Sequence, residues 1–211
     1  MKITEVFYSI QGESTRAGHP CIFVRLTGCN LRCTWCDTGY AFYGGEEMTV
    51  EEVLNHVRNY PCRLVEITGG EPLLQEEVHS LIHRLLDKGY QVLIETGGSL
   101  DIHKVDARAH IIMDIKCPGS HMADRMQWAN MRALTAKDEV KFVIKDRKDY
   151  DWAVEVIRYY GIISKCPILF SPVFGELEPR QLAQWLLEDG LNIQLQLQLH
   201  KYIWDPQMRG V

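Results

Sequence analysis

The sequence predicts an α/β fold: a shortened, partly open barrel of the (β/α)6 type, with parallel strands inside and helices outside. Three observations predict it. Short apolar, β-branched runs recur along the chain, helical patterns fall between several of them, and 211 residues are fewer than the roughly 250 of a closed eight-fold barrel. Such alternation calls for right-handed crossovers and places chemistry at the C-terminal ends of the strands.

The strands are read at MKITEVFYSI (1–10), CIFVRLTG (21–28), RLVEITG (63–69), YQVLIETG (90–97), HIIMDIK (110–116), EVKFVIK (139–145), CPILFSPV (166–173) and NIQLQLQL (192–199). Each is short and bounded by glycine, proline or charge. TVEEVLNHVRNY (49–60) reads as a helix opened by a capping box from Thr49 to Glu52. LLQEEVHSLIHRLLDKG (73–89) and DYDWAVEVIRYYG (149–161) space apolar residues for a helix, and PRQLAQWLLEDG (179–190) has Pro179 for a first turn and Gly190 for a stop. The stretch from His121 to Thr135 is helical in composition with a weak apolar face. No repeat or linker divides the chain, so residues 1–211 are read as a single domain.

Hydrophobic residues at 46% and charged residues at 24% are ordinary for a soluble protein. No apolar run approaches the roughly 20 residues of a membrane span. The N-terminus meets Glu5 and Glu13 where a secretory signal would be apolar, so a cytoplasmic protein is expected. A net charge of -5 without a basic run leaves no footprint for nucleic acid, and the partner expected is a small molecule.

Seven cysteines are present, and three of them, Cys29, Cys33 and Cys36, fall within the eight residues of CNLRCTWC. In an unexported chain this points to thiolate ligands. An iron-sulfur cube normally takes four thiolates, so three local ones would leave one iron open to a small molecule. A zinc site closed by Cys62 or a histidine is the alternative that spacing leaves standing. Cys21, Cys62, Cys117 and Cys166 lie in or beside apolar runs and read as buried thiols.

At this motif the chain resembles the radical S-adenosylmethionine superfamily, whose mark is Cys-x3-Cys-x2-Cys with an aromatic residue before the last cysteine, here Trp35. The resemblance implies a 4Fe-4S cluster on the three cysteines, S-adenosylmethionine chelating the fourth iron, and one-electron cleavage to a 5'-deoxyadenosyl radical that abstracts hydrogen. ITGGEP (67–72) resembles the superfamily's GGEP element. Gly69 and Gly70 would let backbone approach the methionine end of the cofactor, and Glu71 would accept from its ammonium group. Trp35, Cys36 and Asp37 of the loop join them as cofactor contacts by the same resemblance.

FYSIQGE (7–13), Arg25, the CDT that ends the cysteine motif, ETGGS, DIKCPGS and the terminal HKYIWDPQMRGV together resemble the 7-carboxy-7-deazaguanine synthase family over nearly the whole chain. That family converts 6-carboxy-5,6,7,8-tetrahydropterin to 7-carboxy-7-deazaguanine with loss of ammonia, on the route to deazapurines such as queuosine, and uses Mg2+. The resemblance implies substrate contacts from Ile10, Gln11, Gly12, Glu13 and Thr68, with Arg25 suited to a carboxylate by its planar fork. It places magnesium on Thr38, which needs few protein ligands because the ion keeps waters and substrate oxygens. Asp114, Ile115 and Lys116, with Ser171, Pro172, Val173 and Phe174, would wall the adenosine, although Asp114 and Lys116 also suit a strand-end ion pair. His200 and the Val211 carboxylate complete the implied substrate site, with a structural histidine as the plainer reading of His200.

No residue stands out as a dedicated acid or base, since the cofactor carries the hard chemistry. An electron donor such as a flavodoxin is implied, and a homodimer would cover the open edge of a shortened barrel. Two rival readings are an activating enzyme for a glycyl-radical protein, against which FYSIQGE and CDT argue, and a zinc-bearing module without catalysis.

Overall fold

The computed structural model describes every residue from Met1 to Val211. Nine strands form one sheet: β1 Lys2–Ile10, β2 Pro20–Leu26, β3 Glu46–Glu47, β4 Leu64–Gly69, β5 Gln91–Thr96, β6 His110–Ile115, β7 Glu139–Ile144, β8 Ile168–Pro172 and β9 Gln194–Leu195. They lie in the order β3-β1-β2-β4-β5-β6-β7-β8-β9, parallel from β2 to β9. The sheet is open, with β3 and β9 at its edges. No helix is long and apolar enough to cross a membrane.

The expected strands form, with three corrections. β1 runs antiparallel to β2, and β3, which the sequence reading did not mark, runs antiparallel to β1. The loop 11–19 joins β1 to β2 at one end of the sheet, a connection that only antiparallel neighbours can use. The alternating run 192–199 pairs only over Gln194–Leu195, because the Gln196 and Gln198 amides turn inward to hydrogen-bond Ser14 O and Glu13 Oε1.

Five α-helices, α1 Val50–Arg58, α2 Glu77–Asp87, α3 Arg147–Tyr160, α4 Pro179–Asp189 and α5 His200–Ile203, accompany the strands. The predicted capping box is formed: Glu52 N donates to Thr49 Oγ1 at 3.2 Å and Thr49 N to Glu52 Oε2 at 2.7 Å. α2 begins later than its apolar pattern suggests, since Pro72–Leu74 forms a 3-10 turn whose Leu73 N is held by the Glu71 carboxylate. Gly190 ends α4 in the left-handed conformation at φ 59°. The crossovers β5–β6 and β6–β7 carry no α-helix, and 121–135 forms the 3-10 turns Ala123–Arg125 and Trp128–Arg132. A weak apolar face gives a longer helix nothing to bury.

Strand alternation divides the sheet into two chemically different faces. Ile22, Val24, Val65, Ile67, Val92, Ile94, Ile111, Met113, Val140, Phe142, Ile168 and Phe170 point to the helices and form the main core with Leu81, Leu85, Tyr150 and Leu182. On the alternate, concave face Arg25, Glu66, Thr68, Glu95, Asp114, Lys141 and Ser171 supply polar groups beside the buried Leu93, Ile112 and Leu169. Replacing Thr49 with Ala removes the α1 cap far from that face. It should cost about 1 kcal/mol, read as a lower urea midpoint with an unchanged m value, while iron binding stays at the wild-type level.

Candidate active site

The cysteine loop leaves the C-terminal end of β2 and is clamped from several sides. Gly28 N donates to Ala41 O and Glu71 N to Gly28 O, both at 2.8 Å, while Thr34 Oγ1 reaches Gly119 O at 2.9 Å. Gly70 is where β4 presses on the loop: a Cβ there would stand 2.7 Å from Cys29 Cβ and closer still to the Gly28 carbonyl. All seven cysteines are free. Cys29 and Cys33 are half-buried and Cys36 is exposed. Burial raises all three thiols, Cys33 to about 11, while Lys116 opposes the shift at each as a nearby cation.

Leu31 N donates to Cys29 Sγ at 3.4 Å, a bond that stabilises a thiolate. Three thiols on one short loop, facing cations and amide donors, fit three-point ligation of an iron-sulfur cluster. No three Cys, His, Asp or Glu side chains, the loop thiols included, converge on one point, and Cys62 lies at the far end of β2 with its thiol on Pro20 O, away from the loop whose tetrahedron it would have to close.

Around the expected cofactor site, the chain itself engages some side chains and leaves others open. Glu71 is fully buried, and its carboxylate accepts from Leu73 N, Gly97 N and Thr96 Oγ1. Thus the acceptor anticipated for the ammonium group also braces the ends of β4 and β5. Lys116 Nζ pairs with Asp114 Oδ2 at 2.8 Å, the strand-end ion pair that composition allowed. Ile115 points into the helix-side core, so only its backbone faces the strand ends. Asp114 Oδ1 and Ser171 Oγ are buried without a partner from the chain. Two unsatisfied polar atoms at the ends of β6 and β8 fit a polar ligand such as the adenosine moiety. Beside them Val173 is buried and Phe174 is exposed, edge-on to Tyr202. Trp35 lies under Lys145, whose Nζ is 5.9 Å from the ring centroid.

The concave face is organised by Lys141. Its ammonium, with the side chain 4% exposed, meets Glu13 Oε2 and Glu95 Oε1 at 2.5 Å each and Asp114 Oδ2 at 3.4 Å. Glu13 reaches it from the loop 11–19, which folds into the concavity. There Thr15 N donates to Glu139 at 3.1 Å and Gly12 O accepts from Leu199 N at 3.0 Å. Burial would raise the Glu13 carboxyl, yet Lys141 and then His200 hold it at about 2. Glu66 lacks such a partner: burial, reinforced by Glu95, pushes it up to about 8. Gln11 is buried with its amide engaged, Nε2 on Glu66 Oε2 and Oε1 accepting from Glu13 N, so it supports Glu13.

The remaining predicted contacts line the rim. Thr68 Oγ1 donates to Glu95 Oε2 at 3.3 Å. Arg25 gives Nε to Glu5 Oε1 at 2.7 Å, an oxygen that also accepts from Tyr40 OH at 2.7 Å, and this leaves the Nη pair of the guanidinium uncommitted. Thr38 Oγ1 donates to Asp37 Oδ1 at 2.9 Å, and Lys201 Nζ meets Asp37 Oδ2 at 2.6 Å. Burial would raise Asp37, but Lys201 pulls it below the usual carboxylate range. His200 packs against Gly12, where any Cβ would collide with its ring. Ile10 ends β1 opposite Pro20, half-buried. Val211 is half-buried, and two residues before it Arg209 stacks 4.2 Å from the Tyr40 ring centroid.

Sequence reading missed Glu66, Glu95, Lys141, Glu5, Tyr40, Gln198 and Lys201. The signal for the first three was present: LVEIT and EVKFV each place a charge between apolar residues and VLIET sets one at the end of an apolar run, which requires a polar face on that side of the sheet.

Two expected outcomes follow from this geometry. Gly70→Ala should keep the fold but displace Cys29, lowering reconstituted iron content by more than half while the thermal midpoint falls only a few degrees. Glu66, at about 8 against an ordinary 4.5, binds more protons folded than unfolded. The stability it costs therefore grows as pH rises from 4.5 toward 8, by up to about 1.4 kcal/mol per pH unit. Urea titrations of Glu66→Gln should show a gain over wild type that widens across that range and vanishes below it.

Similarity to known proteins agrees with this chemistry. The Radical SAM superfamily model matches residues 23–163. A 7-carboxy-7-deazaguanine synthase of Chlorobaculum tepidum is 50% identical over 214 residues, covering 100% of this chain and 97% of that protein. One of Koribacter versatilis is 47% identical, with 100% of both chains covered. In fold, the chain resembles the crystal structure of QueE from Escherichia coli with a TM-score of 0.76 at 24% identity, over 93% of this chain and 92% of the other. The superfamily's shared cofactors are a 4Fe-4S cluster and S-adenosylmethionine, the group that the three-cysteine loop and the unsatisfied strand-end atoms fit. The chain belongs to the radical S-adenosylmethionine superfamily and, within it, to the 7-carboxy-7-deazaguanine synthases.

Proposed function

We propose that this enzyme converts 6-carboxy-5,6,7,8-tetrahydropterin to 7-carboxy-7-deazaguanine with release of ammonia, a ring contraction on the route to deazapurines. The observation that carries this reading is the meeting of the cysteine loop with a concave face that offers both an uncommitted guanidinium fork and buried carboxylates. When bound, the cluster and S-adenosylmethionine supply one-electron chemistry that abstracts a hydrogen atom from the substrate.

The chain's residues bind and orient. The Arg25 Nη pair suits the substrate carboxylate in a bidentate grip, since Glu5 already fixes its Nε. Glu13 and Glu95 offer acceptors to pterin N–H groups while Lys141 holds both in place. Thr68 and His200 flank this floor, and the loop 11–19 closes it from below, excluding water. Thr38 would carry Mg2+: its proton is directed to Asp37, which leaves the hydroxyl lone pairs for a cation that keeps its remaining ligands as water and substrate oxygens.

The enzyme would take its electrons from a small donor such as a flavodoxin. It would work in the cytoplasm, where seven unbridged cysteines are at home. A homodimer would cover exposed apolar residues such as Ile203 and Met208.

Reduced, cluster-loaded enzyme given S-adenosylmethionine, magnesium and the carboxytetrahydropterin should yield the deazaguanine acid, ammonia and 5'-deoxyadenosine. Formation of 5'-deoxyadenosine without the deazaguanine acid would contradict the substrate assigned. Thr38→Ala should keep its iron but need at least ten-fold more magnesium for half-maximal rate, measured by titrating the ion. An unchanged requirement would remove Thr38 from the metal site.

A further inference from the structure

Glu13, Glu95 and Asp114 all contact the Lys141 ammonium, whereas Glu66, on the same concave face, has no cation within contact. Glu66 is 4% exposed and Gln11 is 2% exposed. The only side-chain hydrogen bond that Glu66 makes is the one it accepts from Gln11 Nε2. The other end of that amide accepts the main-chain N–H of Glu13 at 3.1 Å. A continuous path therefore runs from the middle of β4, through one buried amide, to the residue whose carboxylate sits between Lys141 and Gln198.

We propose that Glu66 is a positioning residue for the ring-contraction chemistry: through the Gln11 amide it fixes the main chain and carboxylate of Glu13 at the floor of the substrate pocket. This rests on the ring-contraction reading above. A side-chain amide can rotate to satisfy either neighbour, so an acceptor at Nε2 is what commits Oε1 to Glu13 N. The groups facing Glu66 are Cys21 of β2, Glu95 of β5, Lys141 of β7 and Glu13 with Gln11 of the loop. With two carboxylates among them and its own cation lacking, Glu66 is held as the neutral acid at neutral pH. In that form it still accepts the Gln11 bond without adding a charge that would compete with Glu13 for Lys141.

The test uses cluster-loaded Glu66→Ala, Glu66→Gln and Gln11→Ala beside wild type. Glu66→Ala should raise KM for the carboxytetrahydropterin about ten-fold, the weight of one positioned hydrogen bond. Its kcat should fall less than three-fold, with iron content and substrate-free cleavage of S-adenosylmethionine unchanged. Gln11→Ala should do the same, and the double variant should be no worse than either single one. Glu66→Gln, the shape of the neutral acid, should restore most of the loss and extend activity above pH 8. Hydrogen exchange of the peptide spanning residues 11–15 supplies a readout free of substrate: Glu66→Ala should speed exchange at Glu13 at least ten-fold, and Glu66→Gln should not.

Unchanged protection at Glu13 in Glu66→Ala would overturn the proposal even if wild type rejected the pterin. If wild type turns the pterin over, a Glu66→Gln as impaired as Glu66→Ala would overturn it too, because a carboxylate charge would then be required. Failure of wild type to form the deazaguanine acid would count against the substrate reading alone.

Discussion

A lysine ammonium held out of water must be surrounded by acceptors, and Lys141 meets that demand with carboxylates from three different parts of the chain. Desolvating an ion costs on the order of several kcal/mol, so removing any one partner leaves the others mispaired. This is why Glu13, brought in by the loop 11–19, and Glu95 and Asp114, from neighbouring strands, occupy fixed places on the concave face. Burial would discharge Lys141, but those carboxylates keep it protonated, well above its ordinary value. The pocket is thus assembled by electrostatics on one face of a sheet whose other face is assembled by hydrophobic packing.

The same constraint ties distant segments together. Gln198 binds Glu13 and Lys201 binds Asp37, so the C-terminal segment closes over the N-terminal loop and the end of the cysteine motif. Arg209 on Tyr40, with Tyr40 on Glu5 and Glu5 on Arg25, extends that closure to the guanidinium offered to substrate. Acidic groups outnumber basic ones on the floor, and Glu66 escapes the excess by keeping its proton. The cysteine loop joins this network at Asp37. Elsewhere it is held by contacts of its own, above all the close approach of Gly70 to Gly28 and Cys29.

Much of the fold was legible because it follows from periodicity. The six long parallel strands from β2 to β8, the α1 cap and the α4 stop are all written locally. The direction of β1 and the truncation of β9 were not, since each is settled by what a segment meets across the molecule. The cysteine loop and GGEP turn were legible as motifs, whereas the duties of Gln11 and Glu71 were not. Both carry amide or carboxylate groups that read as free ligand contacts in a sequence, yet both are buried and engaged by their own chain. Lys141 escaped notice because a lysine alternating with apolar residues looks like part of a strand exposed on one side, until neighbouring strands place Asp114 and Glu95 beside it.

The proposed chemistry turns on three thiolates holding a cluster with one iron left for the small-molecule cofactor. The most direct measurement is the electron paramagnetic resonance spectrum of the reduced, reconstituted protein with and without S-adenosylmethionine labelled with 15N at its amino group. A cluster signal is expected whose g values shift on addition and which gains hyperfine coupling to the labelled nitrogen. A cluster spectrum that S-adenosylmethionine leaves unchanged, or a reconstituted protein with no such signal, would contradict it.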